Sequence, residues 1–152
     1  MAQIYIKQQT STAQTVSGLS TLASGTYVAG PTMTHVTNGP LDVLIFPVVA
    51  TTNAPTTGNR QVVVFAQGSH DGTPTFTSGP TSGTSTADEA NLHYVGTIPM
   101  VTSSTDQSKV LSLAAAFGGT LPYASRLIFK NDCGVALTSA SVRVAEVFGT
   151  SV

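Results

Sequence analysis

Three histidines, His35, His70 and His93, and the acids Asp71, Asp88 and Glu89 are the side chains of this 152-residue chain best equipped for chemistry. His70, Asp71 and His93 could act as zinc ligands if the loop between them folded back, because a zinc site needs three or four ligands converging on one point. No spacing enforces that convergence. Ser69, His70, Asp71 and Gly72 read more simply as a strand end entering a turn, where Ser, Asp and Gly are favoured for backbone reasons. Ser69 beside His70 does not make a nucleophile and base, since adjacent strand residues point to opposite faces. Asp88 and Glu89 are neighbours on a loop and lack the fixed carboxylate separation that glycoside hydrolysis requires. GxSxG, HExxH and phosphate-loop patterns are absent from the sequence. Cys133 is the single cysteine, and Asp132 beside it disfavours the thiolate. The sequence therefore assigns no catalytic residue, metal or cofactor, and we read the chain as a non-enzyme.

Binding is the remaining chemistry. Arg126, Lys130 and Arg143 are expected to share one outward face of a hairpin, forming a small basic patch. Three cations without interleaved aromatics and a net charge of −1 do not make a nucleic-acid surface. A solvated strand face or a contact with a neighbouring subunit is the better reading. Ile4, Tyr5 and Ile6 form an apolar patch near the start and complete the candidate interface. A glycan-binding module would present an aromatic platform, but the chain has no Trp, and Tyr94 and Tyr123 fall in phase with core residues, leaving Tyr5 and Tyr27.

The elements that position these residues follow from composition. Charged residues are 9% of the chain, against about 25% in ordinary soluble domains. The 24 Thr and 16 Ser supply wettability instead, and with 14 Gly and 8 Pro they favour strands joined by turns over long helices. Low charge also leaves little repulsion between copies. One cysteine permits no intrachain disulfide. The opening MAQIYIKQQT lacks the apolar run of a signal peptide, and no stretch approaches the ~20 apolar residues that span a bilayer, so synthesis in a cytoplasm without membrane insertion is expected.

Along the chain, residues 1–25 read as an extended N-terminal arm with too little apolar area to order itself away from another surface, and residues 26–152 as one β-sandwich domain. Tyr27 and Val28, then Met33, His35 and Val36, suggest short strands. Segments 41–50 and 61–66 are apolar at both parities, which calls for a second layer, such as a neighbouring subunit, over the outer side. Pro47 cannot donate to a ladder and marks a sheet edge, a bulge or a break. Residues 68–91 form a long Gly, Pro, Ser and Thr loop. Leu92, Tyr94, Ile98 and Met100 share a phase, and 109–117 reads as a strand or one short helix. Residues 121–148 then read as a hairpin, with Asn131, Asp132 and Gly134 at the turn. About eight strands at regular spacing predict an all-β, single-domain sandwich, jelly-roll-like.

The stretches AQIYIK, SGTYVAGPTMTHVTNGPLDVLIF, VVVFAQGSHDGT, NLHYVGTIP and FGGTLPYASRLIFKNDCGVAL together span most of the chain. In them the chain resembles small virion proteins of tailed bacteriophages, of the decoration or cement type that bind the outside of a capsid. The resemblance implies a jelly-roll or sandwich domain, assembled as dimers or trimers, that contacts the major capsid protein and stabilises the shell against packaged DNA. It implies no enzymatic residues, and it places the protein on the exterior of a virion assembled in a host cytoplasm. The alternative within a virion is a tail component such as a tube, adaptor or fibre-base protein. A carbohydrate-binding module stands further off.

Overall fold

Residues 4–35, 39–56, 60–71 and 75–151 are described by the structure, a computed structural model. Val36 and Gly72 lie outside them, as does the side chain of Ile4. Among the described residues the chain forms eleven strands: β1 (Ile4–Gln8), β2 (Thr12–Gln14), β3 (Tyr27–Thr34), β4 (Asp42–Ala50), β5 (Gln61–Ser69), β6 (Ser82–Gly83), β7 (His93–Pro99), β8 (Gln107–Ser108), β9 (Leu111–Ser112), β10 (Ala124–Asp132) and β11 (Ser139–Ser151). They make two antiparallel sheets. One has the order β1-β11-β4-β8, with β2 also on β11 and β9 also on β4; the other runs β6-β3-β10-β5-β7. The fold is an all-β, sandwich-like single domain.

The strongest apolar segments became the central strands. Val43, Ile45 and Val49 of β4 and Val142 and Val144 of β11 face Val62, Val64 and Ala66 of β5 and Leu127 and Phe129 of β10 in one core. Pro47 interrupts nothing in β4. Its lack of an N–H is tolerated because β9 opposes only 44–45 and β8 only 48–49, so the intervening residues have no ladder on that side.

Segment 121–148 is not a hairpin. β10 pairs with β3 and β5 in one sheet, whereas β11 pairs with β4, β1 and β2 in the other. The turn is an arch that crosses the sandwich. Buried Asn131 shapes it: its Nδ2 donates to the Leu22 and Val135 carbonyls, both at 2.8 Å, and its Oδ1 accepts from the Cys133 N–H at 3.0 Å. Period-2 alternation reports which face a residue takes, not which strand it pairs with, and the same pattern suits an arch.

Of the expected arm, residues 1–25, the described part from residue 4 onward is integrated into the sandwich. β1 and β2 run along the edge of β11, and Leu19 and Leu22 belong to the core. The single short turn at Leu19–Thr21 follows Gly18, whose φ of 83° is left-handed. Segment 109–117 divides between the two readings, β9 being followed by one helical turn, Leu113–Ala116, capped by the Ser112 hydroxyl.

Candidate interaction surface

The outer side of β5 is covered by the chain itself. Tyr27, Ile128 and Leu92 form a second, smaller apolar cluster there, with Ala29 and Phe65 packed against it. Leu92 ends the long loop, which lies across this face. The apolar residues of β5 on both faces therefore need no neighbouring subunit.

Two cations of β10 fasten that loop. Lys130 Nζ donates to Glu89 Oε2 at 2.7 Å and sits 5.2 Å from the centroid of the Tyr27 ring, while the Tyr27 hydroxyl donates to the same carboxylate oxygen. Arg126 Nε donates to Gln67 Oε1 at 2.7 Å, and Gln67 Nε2 donates to the Thr77 carbonyl at 2.7 Å. The Arg126 guanidinium also lies 4.4 Å from the centroid of Phe76, the one large apolar side chain in the middle of the loop. Burial lowers its pKa from the usual arginine value.

Arg143 stands elsewhere. It belongs to β11 in the opposite sheet, where its Nε donates to Ser11 Oγ at 2.9 Å and its Nη2 to the Ser11 carbonyl at 2.6 Å. The expected single basic face of Arg126, Lys130 and Arg143 therefore does not exist, because the arch puts the strands in different sheets. Each cation instead pins a segment poor in large apolar side chains: the long loop in two cases and the N-terminal segment in the third.

Tyr5 and Ile6 are exposed on β1, at 52% and 74%. Register extends the outward face of that sheet beyond Ile6. Because Ile45 and Val144 point inward, their neighbours Leu44, Phe46 and Val48 of β4 and Ala145 and Val147 of β11 point outward. Leu44, Phe46, Val48 and Val147 are half-buried. Together with Ile6 they form an apolar band, interrupted by Arg143 opposite Phe46 and Ser141 opposite Val48, which the apolar character of 41–50 at both parities signalled but could not assign to one sheet.

Other candidates resolve singly. His35 is buried, with Nε2 2.7 Å from Ser125 Oγ, and desolvation lowers its pKa. The His93 ring rests on Phe117 with centroids 4.4 Å apart. His70 is exposed, and Ser69 Oγ donates to Asp71 Oδ1 at 2.8 Å while accepting from the Thr75 N–H, the arrangement of a turn. The Ser69 hydroxyl, with the Thr75 N–H that also donates to Asp71 Oδ1, lowers the Asp71 pKa. Among the described residues no three His, Cys, Asp or Glu side chains converge as metal ligands, and no helix is long and apolar enough to cross a membrane. Burial, helped by Asp132, pushes the Cys133 thiol up to about 11.

Two tyrosines reverse their expected roles. Tyr27 is 2% exposed and Tyr94 58%. A bulge between Val64 and Phe65 in the β5–β7 register takes Tyr94 out of phase with Ile98 and sets it edge-on to Phe65, ring centroids 6.3 Å apart. No protein-family model matches the chain, and no curated protein is significantly similar to it.

Proposed function

We propose that this chain is a non-enzymatic structural protein of a tailed-phage virion, a decoration protein that lies on the outer capsid surface and stabilises the shell. The observation that carries this reading is the apolar band of Leu44, Phe46, Val48, Val147 and Ile6 on the outward face of the β1-β11-β4 sheet. Apolar side chains left half-buried beside exposed Ile6 on an outward sheet face suit an interaction site. The resemblance of the quoted stretches to decoration proteins names the partner: the major capsid protein, approached by copies of this chain assembled as dimers or trimers. Many modest contacts repeated over a shell combine into tight attachment.

The test is rebinding to capsids from which the protein has been stripped. The native chain should rebind at high copy number and be seen by electron microscopy on the head, whereas Phe46→Glu should fold, as judged by circular dichroism, and fail to rebind. Density on the tail, or undiminished rebinding of Phe46→Glu, overturns the proposal.

A further inference from the structure

Residues 4–16 are held in an unusual way for a segment that supplies two strands. Nearly every described side chain from 5 to 18 is exposed or only half-buried, so the ladder to β11 and the Arg143 bonds to Ser11 carry much of the attachment. Little side-chain packing lies beneath it. An open groove of about 240 Å³, lined by Gln9, Thr12 and Gln14 and by Thr32, His35 and Glu146, runs along one side. A second groove of about 410 Å³ lies between residues 13–20 and Ala140, Ser141 and Val142. The first fully anchored residue is Leu19, and exposed Ser17 and Gly18 precede it.

We propose that residues 4–16 are an exchangeable arm, and that two copies of this chain trade arms so that β1 and β2 of each pair with β11 of the other. The inference stands on this geometry and does not depend on the virion reading. An exchanged arm remakes the same ladder, the same Ser11 bonds and the same Val16 contact, so the two states differ chiefly at the hinge and in chain entropy, and concentration decides between them. Ser17 and Gly18 are the hinge. Because only these two residues separate Val16 from Leu19, the partner's seat for Val16 must lie within roughly 10 Å of Leu19. The copies must therefore meet beside the groove at Ala140, Ser141 and Val142. An emptied β11 edge is itself a template for a strand, which favours refilling by whichever arm is near.

A cross-linked pair reads the exchange directly. The Gln9 N–H donates to the Glu146 carbonyl, so Gln8 and Val147, the next pair in register, form a non-hydrogen-bonded pair whose Cα atoms lie about 4.5 Å apart. In the variant carrying Gln8→Cys and Val147→Cys, oxidation should close a disulfide within one chain when the arm is at home and between two chains when it is exchanged. Buried Cys133, with its raised thiol pKa, stays out of the reaction. After incubation at ~10 µM a non-reducing gel should show covalent monomer, and after incubation at about 1 mM, the effective-concentration scale of a short tether, covalent dimer in severalfold greater proportion. Adding Gly18→Val, which strains the left-handed hinge, should raise the dimer share further. Intrachain disulfide alone at every concentration overturns the proposal, and so does dimer formed equally well by the Gln8→Cys variant alone, which would mean that two β1 edges abut without exchange.

Discussion

Lys130 Nζ and Glu89 Oε2 lie 2.7 Å apart and join β10 to a residue 41 positions earlier in the chain, on the loop that covers the outer face of its sheet. The two side chains are only partly exposed, at 21% and 30%, and Tyr27 contributes a further hydrogen bond to the carboxylate.

Glu89→Gln should therefore act on the loop more than on the fold. Loss of the ion pair is expected to lower global stability by ~0.2–1 kcal/mol. Limited proteolysis within 75–92 should accelerate severalfold, a local opening that denaturant melts hardly register. Charge reversal at Arg126 and Lys130 together should open the same loop. Unchanged cleavage in both variants would show that Leu92 and Phe76 hold the loop unaided.

Asn131→Leu should be far more damaging. The substitution removes two donated bonds and one accepted bond inside the arch and leaves the Leu22 and Val135 carbonyls without that donor. Each group stranded in the interior costs about 1–3 kcal/mol. Phe129→Ala in the neighbouring core should cost ~3–5 kcal/mol. Equilibrium unfolding in urea measures both, and a loss below ~1 kcal/mol at Asn131 would reject its role in the arch.

These two residues also mark where reading the sequence succeeds and where it stops. Phe129 is legible as core, because alternation and apolar character suffice to place a side chain on a face. Asn131 reads as turn chemistry, yet it is fully buried, and its partner at Leu22 lies outside any local window. The same limit converted a hairpin into an arch and dispersed the supposed basic patch. Tyr94 was misread because the bulge at the β5–β7 register leaves no mark in the alternation itself. The cover over β5 was invisible for another reason: besides Leu92 and Phe76 the loop binds through polar groups, Glu89 to Lys130 and the Thr77 carbonyl to Gln67 of β5, which hydropathy does not reveal.

Stability should fall on mild acidification because of His35. Burial lowers its folded-state pKa below the usual 6.5, so as pH drops through 6.5 the unfolded chain takes up a proton that the folded chain refuses. The stabilisation is complete above that value and declines as pH falls toward the folded pKa. Urea midpoints at descending pH from neutrality should show this slope, and His35→Gln should flatten it. An identical slope in the variant would assign it to other groups.

A side chain at Gly96 should be costly while Leu111 is present. A Cβ there would lie 2.6 Å from Leu111 Cδ2, inside any normal contact. Gly96→Ala is expected to destabilise by ~1–3 kcal/mol through overpacking. Combined with Leu111→Ala it should cost less than the sum of the two changes, and strict additivity in this double-mutant cycle would refute the clash.

The pairing of β1 and β2 with β11 has a consequence for biosynthesis. The arm leaves the ribosome well before the strand edge that receives it, which lies more than 120 residues later. Throughout the intervening elongation the nascent arm has no cognate edge in its own polypeptide, and in a polysome the edge closest at hand can belong to a neighbour completed moments earlier.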